Sequence, residues 1–189
     1  MSEIIQTKRL KLEPFSETHL SGAIVDWLND PEIVRYSDNR HRRHTLETSR
    51  MYMQSFADSP NRYWAIILQA EQPKIIGSIT NYIDLNNLVA DIGILIGDKT
   101  CWRGGYGSEA FSGAVEWLFR TQRIRKVTAG TMAANAGMLG IMRKIGMREE
   151  ARKSRHYLLD GAETDMVCGS IFADDWRAVS TEAHCGRAI

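Results

Sequence analysis

Residues 89–119 limit what this chain can fold into more than any other stretch. Residues 89–96 are almost continuously apolar, as a buried strand is. Further on, Phe111, Ala114, Val115, Leu118 and Phe119 recur at helical spacing. Between these two patterns lies a glycine-rich loop, Trp102-Arg103-Gly104-Gly105-Tyr106-Gly107-Ser108-Glu109-Ala110. Gly104, Gly105 and Gly107 carry no Cβ, so the backbone can come close to a ligand and adopt positive φ. The N–H groups that open the following helix lack internal partners, and the helix dipole favours an anion there. Strand, loop and helix together read as a phosphate cradle; the plainer reading is a tight strand-to-helix turn.

The glycine spacing excludes two common cradles. A dinucleotide loop needs G-x-G-x-x-G, and a P-loop needs G-x-x-x-x-G-K-[ST]; neither pattern is present. The segment Trp102–Ala110 instead resembles the acetyl-CoA signature of the GNAT N-acetyltransferases, and within them the RimJ/RimL-like branch, whose loop is of the type W-G-K-G-Y-G/A-T-E-A. The resemblance extends over most of the chain. Thr7-Lys8-Arg9-Leu10-Lys11-Leu12 is similar to that branch's opening strand, and Asn135 followed by Lys144-Ile145-Gly146-Met147 to its N…K-x-G-F segment. Asp160-Gly161, Asp165 and Trp176 are similar to its closing hairpin and end. The branch usually has Lys before its second glycine. Here Gly104 stands there and Arg103 one place earlier, so the positive charge is displaced.

The residues predict one core. Residues 7–15 alternate as a first strand. Ser16 is placed to cap a helix with the stripe Leu20, Ile24, Trp27 and Leu28, and Asp30-Pro31 to open a short turn. Thr45 caps another helix. Residues 62–69 and 74–84 read as neighbouring strands, and Asn86-Asn87 as a hairpin tip leading into 88–97. A helix over 105–120, a strand over 125–131, a helix from Asn135 to Gly146 and a hairpin around Asp160-Gly161 complete the order β-α-α-β-β-β-α-β-α-β-β. The fold class is α+β, with a central mixed, mostly antiparallel sheet and helices on both faces. The resemblance implies the same order, with two central strands parted to admit the cofactor. Residues 1–177 form a single acetyltransferase domain in this reading, and 178–189 a loose tail.

Composition excludes several classes. Lys plus Arg number 24 and Asp plus Glu 23, so no global charge points to nucleic acid. No apolar run reaches the roughly 18 residues of a membrane span. The N-terminus shows no signal-peptide pattern. Cys101, Cys168 and Cys185 form no C-x-x-C pair, which fits a reducing cytoplasm and no metal centre. His184 with Cys185, or His41 with His44, lacks a third ligand at useful spacing.

Acetyl transfer to an amine needs a positioned thioester, a polarised carbonyl and a free-base amine. The resemblance implies acetyl-CoA as co-substrate, its diphosphate on Arg103, Gly104, Gly105, Tyr106, Gly107 and Ser108 beside Trp102, and its pantetheine arm along the backbone of Leu95 and Ile96. It also makes Asn135 a cofactor contact, although a helix N-cap explains the same residue. The branch's usual acid positions hold Met138 and Met142. A water, Tyr157 or Tyr82 is then the candidate acid, and Asp91, with Asp84 behind it, the candidate base; a solvated surface acid is the alternative for both aspartates. Arg35, Arg40, Arg42, Arg43 and Arg50, opposed only by Asp38 and Glu47, form a basic run. It is either a solvated face or, with Tyr36, a site for an anionic acceptor. The expected partner is therefore a small anionic amine such as an amino-sugar nucleotide. A protein N-terminus is the alternative acceptor, and a non-catalytic CoA-binding module the alternative function. No nucleic acid or membrane partner is expected; oligomeric state stays open, a homodimer included.

Overall fold

A computed structural model describes residues 3–176, so the predicted tail with His184 and Cys185 lies outside the described residues. The strands are β1 (Ile5–Gln6), β2 (Leu10–Pro14), β3 (Arg62–Leu68), β4 (Lys74–Asp84), β5 (Val89–Ile96), β6 (Lys126–Met132), β7 (Arg148–Leu159) and β8 (Ala162–Phe172). The helices are α1 (Gly22–Asn29), α2 (Leu46–Gln54), α3 (Tyr106–Thr121) and α4 (Ala136–Lys144). The eight strands make one mixed sheet in the order β1-β2-β3-β4-β5-β6-β8-β7. Neighbours from β1 to β4 run antiparallel, as do β6 with β8 and β8 with β7. β5 and β6 run parallel, and α3 is the crossover that parallel neighbours require.

The element order is the expected one with an added strand. The strand expected over 7–15 begins only at Leu10, because residues 7–9 turn where Thr7 Oγ1 and the Arg9 backbone N–H both reach Glu109, and the added strand, Ile5–Gln6, lies before that turn. The helix assigned to Ser16 starts later. Ser16 caps a 3-10 turn, Glu17–His19, through a reciprocal box with His19, and Leu20 is extended, which breaks the run. α1 begins after Ser21. Thr45 caps α2 through a reciprocal box with Thr48. Asp160 and Gly161 both have positive φ, 51° and 81°, as a two-residue hairpin turn of that type requires.

The described chain falls into two compact units. The first holds residues up to Tyr82 together with Ile92–Ala114; the second holds Ile83–Asp91 and the described residues from Val115 onward. In the first unit Leu10, Leu12, Trp64, Ile66, Ile76, Ile79 and Phe111 are fully buried, while Phe15, Ile24, Ala65 and Ile67 form a cluster with Leu20, Trp27 and Met53 packed against it. In the second, Val115, Leu118, Ile124, Val127, Met132 and Ile171 are buried. Burying each such side chain contributes roughly 1.5–3 kcal/mol. The last strand in the sheet order, β7, is exposed along almost its whole length. Its ladder with β8 is interrupted between Lys153 and Tyr157, where Arg155 has φ 49°. Asp165 holds that bulge, accepting from Arg155 N at 2.9 Å and Arg152 Nη1 at 3.3 Å.

Candidate active site

β5 leads into the loop through a 3-10 turn, Lys99–Cys101, capped by the Asp98 side chain at 2.9 Å from Thr100 N. Arg103 and Gly105 then take positive φ, 61° and 78°. Left-handed residues at alternate positions curl the amides into an anion-binding nest. Helical bonding in α3 begins with Glu109 N to Gly105 O at 3.1 Å, so the N–H groups of Tyr106, Gly107 and Ser108 precede the first acceptor. A Cβ at Gly104 would stand 2.7 Å from the Tyr106 ring, so the loop has this shape only with glycine there. The bare amides fit a diphosphate.

The end of β5 is set by two close approaches. A Cβ on Gly77 would lie 2.1 Å from the Leu95 carbonyl oxygen, so that carbonyl rests against β4. Gly97 N donates to Ile76 O at 2.9 Å, also toward β4. Peptide planarity then turns the Ile96 N–H and C=O the other way, and strand alternation turns those of Ile94 with them. The Trp102 indole confirms the direction by donating to Ile96 O at 2.9 Å. Outward-facing amides on this strand are therefore those of Ile94 and Ile96, whereas Leu95 faces its neighbour. The parallel ladder of β5 with β6 covers only Val89–Asp91 and stops before them. Sequence patterning identifies this strand but not this parity, which depends on the close approach of Leu95 to Gly77 in β4.

Arg9 and Glu109, which the sequence motifs contain without a role for either, frame the loop. Arg9 Nη1 donates to Gly104 O at 3.0 Å, and its guanidinium lies 4.1 Å from the Tyr106 ring centre. Arg9 N and Nε each bind one oxygen of the Glu109 carboxylate at 2.7 Å, and Thr7 Oγ1 donates to it at 2.7 Å. Burial pushes the Glu109 carboxyl up, but the Thr7 and Arg9 hydrogen bonds outweigh it and hold the group below its ordinary value. The pair is 100 residues apart in the chain, so no local pattern could have found it.

The basic run forms a closed loop in the same unit. Asn29 and His44 join its neck by reciprocal bonds, Asn29 Nδ2 to His44 O and His44 N to Asn29 Oδ1, both 2.9 Å. Arg40 turns inward onto Ser37 O at 2.8 Å, and Arg50 pairs with Glu17. Arg35 lies 5.8 Å from the Tyr36 ring centre. Arg42 and Arg43 are exposed, and neither has an ion pair among the described residues. Lys99 bridges Asp30 and Glu32, tying the start of this loop to the turn before the cradle. On β4, Tyr82 bonds Tyr52 hydroxyl to hydroxyl at 2.9 Å. Burial pushes Tyr63 up to about 12, with the Ser78 hydroxyl opposing, and burial raises Tyr52 further still. These phenols stay neutral.

The remaining candidates belong to the second unit. Asp91 is open to solvent but densely walled, and that desolvation raises its carboxyl pKa, opposed by a 2.7 Å bond from Thr128 Oγ1. Asp84 is held low by Asn87 and the turn amides it caps. Asn135 is an N-cap, accepting from Met138 N at 3.1 Å and donating to Thr131 Oγ1 at 2.9 Å. Met138 and Met142 are buried, and a Cβ on Gly169 would lie 2.4 Å from Met142, so that position is filled by packing. The Tyr157 hydroxyl donates to Met166 Sδ at 3.7 Å. Among the described residues no group of three or more His, Cys, Asp or Glu could hold a metal ion, and no helix is long and apolar enough to cross a membrane.

A family model described as "Acetyltransferase (GNAT) domain" matches residues 9–148. The chain is 26% identical over 113 residues to the "[Ribosomal protein uS5]-alanine N-acetyltransferase" of Escherichia coli (strain K12), which covers 58% of this chain and 57% of that protein. The match thus spans little more than half the length of that relative. Among solved structures, "RimL- Ribosomal L7/L12 alpha-N-protein acetyltransferase in complex with Coenzyme A" superposes with a TM-score of 0.79 at 18% identity, over 90% of this chain and 98% of that one. Spermidine N-acetyltransferase from Vibrio cholerae, in complex with CoA and spermine, gives 0.79 at 16% identity, over 89% and 98%. At such identities these structures speak for the fold.

Proposed function

The chain belongs to the GNAT acetyltransferase family, and from that premise we propose that it is an N-acetyltransferase moving acetyl from acetyl-CoA directly to the primary amine of a small anionic acceptor, such as an amino-sugar nucleotide. The observation that carries the reading is the nest that follows β5, where the N–H groups of Tyr106, Gly107 and Ser108 open α3 without a helical acceptor. The proposal takes residues 1–177 as one acetyltransferase domain, of which the family match covers 9–148.

Bound acetyl-CoA supplies an activated acetyl thioester. The loop amides of residues 103–108 hold its diphosphate, with Trp102 alongside. The outward amides of Ile94 and Ile96 pair with the pantetheine arm and polarise the thioester oxygen; Leu95 contributes its side chain, and Asn135 is a further contact. Asp91 draws the proton from the ammonium through water. Tyr157 returns a proton to sulfur. Arg42 and Arg43, with Arg35, Tyr36 and Arg40 around them, receive the acceptor's anion.

A protein N-terminus is the second reading, favoured by the names of the ribosomal-protein relatives. Thiol release from acetyl-CoA with an amino-sugar nucleotide, an alanine-terminated peptide and spermidine separates these, beside calorimetry with CoA. The basic loop predicts preference for the anion and rejection of the polycation. Replacing Arg42 and Arg43 by Ala should raise the acceptor KM about tenfold or more and leave that of acetyl-CoA unchanged. CoA binding without thiol release from any amine would make the chain a non-catalytic binder. No heat with CoA would end the assignment.

A further inference from the structure

Resting on the acetyl-CoA reading above, we infer that Arg9 is a positioning residue for the diphosphate: it presets the loop's amides and cancels the charge of Glu109 beneath them. Three observations converge. First, Arg9 Nη1 holds the Gly104 carbonyl at 3.0 Å. In a planar trans peptide this turns the Gly105 N–H away from Arg9 and into the nest. Second, the guanidinium covers the Tyr106 ring at 4.1 Å, and that ring occupies the space a Cβ on Gly104 would need. The loop is thus folded around the Arg9 side chain. Third, Glu109 stands in the first turn of α3, where its carboxylate would repel a phosphate. Arg9 binds both of its oxygens, Nε to one and the backbone N–H to the other, each at 2.7 Å.

The mount is rigid. Leu10 is fully buried, and Gln69 N donates to Arg9 O at 2.9 Å, fixing the Arg9 backbone to the end of β3. The loop itself has only Arg103 as a cation, and that side chain is exposed without an ion pair among the described residues. A planar fork that bonds a carbonyl, a carboxylate and a ring face at once is a task for Arg and not for Lys.

Calorimetry with CoA and with pantetheine, which lacks the diphosphate, tests this. Arg9→Ala should weaken CoA about tenfold or more and leave pantetheine affinity unchanged, and Arg9→Lys should recover only part of the loss. Glu109→Gln in the Arg9→Ala background should restore most of the CoA affinity, because the uncompensated carboxylate is gone. Glu109→Gln alone should bind CoA at least as tightly as the wild type, which keeps the test open if Arg9→Ala folds poorly. Unchanged CoA affinity in folded Arg9→Ala, equal losses for CoA and pantetheine, or weaker CoA binding by Glu109→Gln would overturn the inference while the acetyl-CoA reading stands. A wild-type chain that does not bind CoA would remove both.

Discussion

Asp91 presents a carboxyl whose pKa is raised by crowding and only partly restored by Thr128. In the proposed reaction it works as the carboxylate, so activity should fall as pH drops through that raised value. The stability linkage has a definite sign. Between the ordinary aspartate value near ~3.9 and the raised one, the folded state keeps a proton that the unfolded state releases. Stability therefore declines as pH rises through that window. Asn, neutral throughout, removes this loss. Asp91→Asn should lower kcat/KM on the order of a hundredfold while the melting temperature at neutral pH holds or rises; a lost fold or undiminished turnover would exclude Asp91 as the base. At this scale the sequence was readable where chemistry is local. Asn135 caps its helix as its position suggests, and Met142 lies where an acid was missed, buried over Gly169. Which amides of β5 face outward was not readable, since that depends on Gly77 from another strand.

The loop of residues 30–43 is an element in its own right, tied at the neck by Asn29 and His44 and at its start by Lys99. Lys99 Nζ lies 2.8 Å from Asp30, whose carboxyl is held low by that bond. Exposed pairs of this kind stabilise a fold by at most about 1 kcal/mol, so their value here is in placement. Lys99→Ala should raise the acceptor KM several-fold while shifting the denaturation midpoint little; an unchanged acceptor KM would mean that the loop needs no such tether. Elements with their own punctuation were legible: Thr45 at α2, Asp160-Gly161 at the hairpin, Gly146 at φ 83° after α4. Ser16 misled because a serine cap suits a single 3-10 turn as well as a helix, and the extended Leu20 that ends it has no signature. The ties that fix loops came from far along the chain and were invisible: Arg9 to Glu109, Asn29 to His44, Lys99 to Glu32.

For the whole molecule, ligand linkage gives the broadest test. CoA at a hundred times its Kd stabilises a folded chain by about 2.7 kcal/mol, and for this length each kcal/mol moves the melting temperature roughly 2–4 °C. A rise of about 5–11 °C is therefore expected by calorimetric scanning. If melting shows two steps, the step belonging to the unit with Leu95–Ser108 should move. A flat response would contradict the cradle. The element order and the mixed sheet followed from strand and helix periods read in the sequence, whereas the place of β8 between β6 and β7 and the division into two compact units did not, because they depend on which residues meet in space. One border of the sheet carries a further consequence. β7 is broken by a bulge and studded with Arg148, Arg152, Lys153 and Arg155. A strand arriving from another molecule finds no straight run of amides to zip against and meets a row of charged side chains that it would have to desolvate. Crowding should thus leave this flank unjoined, and the chain can be made in quantity without seeding fibrils along it.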